Sequence, residues 1–130
     1  MASRAIIGSS LVKGIYNIKD TDRFYSGPSE RVYIYDLVSM NPAMITTYNV
    51  ILVLIGTNNV SSSDTPNYIV TQIQDLVCLM KMINEDVEII ISTLLPRPCD
   101  PHLTGKVKEV NVLLKQLEDV FQLEVSPTAV

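Results

Sequence analysis

Histidine occurs once in this sequence, at His102, tryptophan is absent, and cysteine occurs twice, at Cys78 and Cys99. Neither cysteine belongs to a Cys-x-x-Cys pair, so the spacing used for zinc or redox work is missing. Both read as free thiols, Cys78 packed inside a helical pattern and Cys99 in a Pro-rich loop. Glycine-rich phosphate loops of the G-x-G-x-x-G or Walker type are also missing. No metal and no cofactor are expected. Positive charge is in deficit: the net charge is −4 and the pI about 4.8, which disfavours nucleic acid as the main partner. Arg97, Lys106, Lys108 and Lys115 offer only a local basic patch for RNA. The longest apolar run, Val50 to Ile55, falls far short of the roughly 20 residues that span a bilayer. No membrane span is expected. The start, Met-Ala-Ser-Arg followed by a strand-like run, lacks the apolar core and cleavage site of a secretory signal. An intracellular setting, or a chain trimmed at its start, is the expectation.

Hydrophobic residues make up 47% of the 130 and charged residues 18%, a balance that fits one folded α/β domain over residues 1–130. Hydrophobic periodicity gives five strand-like runs: Arg4–Ile7, Arg31–Tyr35, Val50–Ile55, Val87–Thr93 and Phe121–Val125. The third and fourth are nearly continuous in Val, Ile and Leu, as strands buried on both faces of a parallel sheet are. Between them Ile69, Ile73, Leu76, Met80 and Ile83 recur at helical spacing, with Thr65 as a cap and Pro66 in the first turn. A second helix is read from Val107, Val110, Leu114 and Leu117 after a cap at Thr104. Shorter ones are expected at Leu11–Tyr16 and Pro42–Thr47. The alternation predicts a three-layer α/β/α sandwich on a five-stranded parallel sheet in the order 2-1-3-4-5.

Two strand-like runs end in small polar loops, which an open α/β sheet gathers at the carboxyl ends of its strands. Ala5-Ile6-Ile7 leads into Gly8-Ser9-Ser10-Leu11, and Val50–Ile55 leads into Gly56-Thr57-Asn58-Asn59. Ser10 at a strand-to-helix turn suits a nucleophile, with nearby helix amides to receive an oxyanion. Equally, Gly8 permits a tight turn and Ser9 or Ser10 caps the next helix. Asn58 suits an oxyanion donor, a role worth roughly 3 kcal/mol in the transition state. Alternatively, Asn58 or Asn59 bonds its own loop backbone.

These blocks resemble the SGNH (GDSL-type) hydrolases, esterases and acylhydrolases with a serine nucleophile in a Gly-Asp-Ser turn and an asparagine in a Gly-x-Asn turn. The Leu94-Leu95-Pro96-Arg97-Pro98 exit and the helix with Val110-Asn111-Val112-Leu113-Leu114 look like SGNH-type domains in open reading frames of mobile elements and viruses. The resemblance spans roughly Ile6 to Leu117. It implies Ser10 as nucleophile and Asn58 as oxyanion donor, with Gly8, Ser9, Gly56, Thr57 and Asn59 shaping the turns. An acyl ester is then the implied ligand, and a virion-associated setting becomes an alternative to an intracellular one.

The departures matter as much. Ser9 stands where the family usually has Asp, and Asn59 where its tetrad usually ends in Asp. Tyr35-Asp36-Leu37-Val38-Ser39 carries no second-block glycine, and no Asp-x-x-His block follows the fifth run. His102, beside Asp100, is the only histidine left to act as base. The expectation is therefore a catalytically degenerate SGNH-like domain that binds a protein partner or copies of itself. The competing reading is an active esterase or deacetylase whose base is His102 or a histidine from elsewhere. RNA binding is a third.

Overall fold

Val50–Leu54 (β3) and Glu88–Ser92 (β4) run side by side at the middle of a parallel sheet. Arg4–Gly8 (β1) flanks β3, Thr21–Tyr25 (β2) forms one edge and Glu124–Ser126 (β5) the other. The order is β2-β1-β3-β4-β5, as the alternation predicts. The computed structural model describes residues 3–8, 19–25, 30–54, 64–94 and 101–126. The four described helices are Glu30–Met40 (α1), Ala43–Thr47 (α2), Pro66–Ile83 (α3) and Thr104–Phe121 (α4). A short 3-10 turn, Pro101–Leu103, leads into α4.

The steps from β2 to β3, β3 to β4 and β4 to β5 all move the same way across the sheet, so right-handed crossovers put their helices on one face. One core results. Ala5, Ile7, Ile51, Val53, Ile89, Ile91 and Val125 on that face pack with Val38 of α1, Ile45 of α2, Ile69, Ile73, Leu76 and Met80 of α3, and Val107, Val110 and Leu114 of α4. The alternate strand residues face the other way, where Ile6 and Leu52 are buried beside the partly buried Leu54 and Ile90. The connection from β1 to β2 moves in the opposite sense, and the helix expected at Leu11–Tyr16 lies outside the described residues.

Local signals place the long helices well. Thr65 is extended and its Oγ1 accepts the Tyr68 amide at 3.1 Å, with Pro66 in the first turn. Cys78 is a half-buried free thiol on α3, and Cys99 lies outside the described residues. Thr104 is not the cap of α4. The 3-10 turn makes Leu103 helical already, at φ −93 and ψ −9, so no extended residue precedes the helix and the cap position makes no side-chain bond.

The second strand is the main correction. Arg31–Tyr35 lies inside α1, and the strand is Thr21–Tyr25, preceded by Asp20 in the left-handed region at φ 56. An edge strand needs few apolar residues, so Thr21-Asp22-Arg23-Phe24-Tyr25 carries little hydrophobic pattern. The run from Arg31 continues through Leu37 to the fully buried Val38, and its spacing is helical beyond Tyr35. The fifth strand is also shorter than Phe121–Val125. Phe121 closes α4, and Gln122 at φ 51 and ψ 50 turns the chain before β5 begins.

Polar ties hold the sheet margins. The Tyr48 hydroxyl donates to Asp22 Oδ2 at 2.5 Å, and its ring meets Phe24 edge-on. Burial first, then the Asp22 carboxylate, pushes the Tyr48 phenol up to about 12. At the sheet's amino edge the Asn49 amide donates to Ser3 O and the Glu88 amide to Asn49 O, both at 2.9 Å.

Candidate functional site

Strand register fixes where the chain leaves β1 and β3. Gly8, the buried last residue of β1, is the direct partner of Leu54, the last residue of β3, and of Tyr25 on the other side. Neighbouring strands lie about 4.8 Å apart, so the chain leaves β1 and β3 from adjacent points on one edge. Ser9 and Ser10 follow Gly8 directly, and Gly56-Thr57-Asn58-Asn59 begins two residues after Leu54. Those six residues lie outside the described residues. The backbone thus brings together the two exits that the sequence analysis paired, and Gly8 is the one member of the expected turn set whose place is described.

The helices α1, α3 and α4 follow carboxyl strand ends and run back along the sheet, so their amino ends, the positive ends of the helix dipoles, rise at this same edge. His102 belongs to the 3-10 turn before α4 and is exposed. Among the described residues it has no hydrogen-bond or ion-pair partner. Nor does any group of three or more His, Cys, Asp or Glu among the described residues have the arrangement of a metal site.

One residue at this edge had no role in the sequence reading. Asn111, on α4, accepts the Leu94 amide through Oδ1 at 2.7 Å and donates from Nδ2 to the Leu94 carbonyl at 3.2 Å. A side-chain amide thereby imitates a neighbouring strand for both backbone groups of the residue that leads out of β4. It fixes Leu94, where the described chain leaves β4, to the helix behind it. The available signal was an isolated amide between Val110 and Val112 in an otherwise apolar stretch. Counting from that anchor, His102 lies roughly 14 Å farther out along the helix axis.

No protein-family model matches the sequence, and no curated protein matches it. Solved structures do match. A GDSL-like lipase from Bacteroides thetaiotaomicron superposes with a TM-score of 0.74 at 12% identity, covering 95% of this chain and 67% of that one. A member of the lipolytic G-D-S-L family from Veillonella parvula gives 0.69 at 18% identity, covering 94% and 75%. The SGNH-hydrolase family esterase AlinE4 gives 0.73 at 10% identity, covering 98% and 76%. The chain therefore has the α/β fold of the GDSL and SGNH hydrolases. Among the described residues no helix is long and apolar enough to cross a membrane.

Proposed function

We propose that this chain is a binding or assembly module on the SGNH hydrolase fold, catalytically degenerate, whose carboxyl edge meets its partner. One observation carries the reading. His102, the only imidazole in the chain, is exposed and lacks any hydrogen-bond or ion-pair partner among the described residues. A serine hydrolase needs a base held in one tautomer and orientation by a second group, and its loss costs several orders of magnitude in rate. No described group holds this imidazole in such a geometry. The partner is a protein or a second copy of this chain, in an assembly such as a viral or mobile-element particle. The acidic balance disfavours nucleic acid.

The pairing of Gly8 with Leu54 supports a second reading. On it, Ser10 attacks an acyl ester, Asn58 stabilises the oxyanion and His102 serves as base. Hydrolysis of short p-nitrophenyl esters separates the two. The binding reading expects the native chain and Ser10→Ala to be equally inactive. Turnover that disappears in Ser10→Ala and in His102→Ala would overturn it.

A further inference from the structure

β5 is an edge strand, and an edge strand ordinarily offers unpaired backbone groups to any strand that approaches. Alternation shows which groups those are. The Thr93 amide donates to Ser126 O at 3.0 Å, so Ser126 faces β4. Its neighbour Val125 directs its amide and carbonyl away from the sheet, although its side chain is in the core. Both outward groups are taken by α4. Glu118 Oε1 accepts the Val125 amide at 2.9 Å, and Lys115 Nζ donates to the Val125 carbonyl at 3.4 Å. The two side chains are joined to each other at 2.7 Å. A charge-paired acceptor and donor thus occupy the positions that a sixth strand would use.

We infer that Lys115 and Glu118 form an edge guard that closes β5 to strand addition, and that without it β5 pairs with β5 of a second copy of this chain. The guard acts whether or not the carboxyl edge hydrolyses anything. It directs native partners away from this margin of the sheet.

The test compares the full chain with Lys115→Ala/Glu118→Ala and with Glu118→Gln, each checked for folding by circular dichroism. Both guard positions are at least partly exposed, and Glu118→Gln keeps an acceptor oxygen, so at least one variant retains the fold. In dilute solution the Val125 amide should exchange roughly tenfold faster in the double variant than in the native chain. On raising the concentration, sedimentation should show the double variant moving to a dimer as Val125 regains protection, while Glu118→Gln lies between it and the native chain. Unchanged Val125 exchange in the dilute double variant would overturn the inference. So would a double variant that sediments like the native chain at every concentration, or one that associates with no return of protection in β5.

Discussion

In β3 and β4, Ile51, Val53, Ile89 and Ile91 are 1% exposed or less, whereas in β2 Asp22 and Arg23 face solvent and the strand is tied to the body through Tyr48. β5 shows the same contrast, with Glu124 in solvent and Val125 bonded to Glu118 and Lys115. The middle of the sheet is stabilised by burying apolar area and its margins by a few directed polar bonds. Directional bonds are individually weak but decide where a strand stops and what it refuses to pair with. The candidate site lies where β1 and β3 leave the sheet, so its exits rest on well-buried strands.

Truncation in the middle should break the contrast most. Ile51→Ala empties a fully buried position in the core shared by the sheet and its helices and is expected to cost about 2–5 kcal/mol in denaturant unfolding. Next comes Asn111→Ala, which strands the Leu94 amide and carbonyl and should cost about 1–3 kcal/mol. Exchange of the Leu94 amide should quicken as it loses its Asn111 acceptor. Asn111→Asp, which keeps only the acceptor, should fall between.

At the β2 margin, Tyr48→Phe removes one hydrogen bond and is expected to cost about 1 kcal/mol. Its pH dependence sharpens the point. The folded phenol titrates at about 12, above the ordinary tyrosine value near 10. Its stabilising contribution is therefore whole below about pH 10 and is lost as pH rises toward 12. The native chain should lose stability over that interval faster than Tyr48→Phe.

The smallest effect belongs to β5. Lys115, and then the Val125 amide, hold the Glu118 carboxyl below its ordinary range. That contribution is present above the usual glutamate range and lost as pH falls through the lowered folded value. The stability difference between native chain and Glu118→Gln should be small at neutral pH and should vanish in acid.

The same contrast explains what the sequence made legible. β3, β4 and α3 announce themselves because burial on two faces demands unbroken Val, Ile and Leu, and burial on one helix face demands spacings of three and four. β2 is hidden because Thr21-Asp22-Arg23-Phe24-Tyr25 needs little burial at an edge, while Arg31–Tyr35 has strand-like composition inside a helix. Asn111 is hidden for another reason. A side chain that bonds backbone leaves no periodic trace. At the site, the strand-then-turn pattern correctly paired the exits after Gly8 and Leu54. The turn roles of Ser10 and Asn58 lie outside the described residues.

The most direct measurement is labelling with a fluorophosphonate serine-hydrolase probe on the folded native chain, Ser10→Ala and His102→Ala. A binding module in which no described group orients His102 predicts no labelling of any of the three. Labelling of the native chain that is lost in both variants would contradict it and make Ser10 and His102 a working pair.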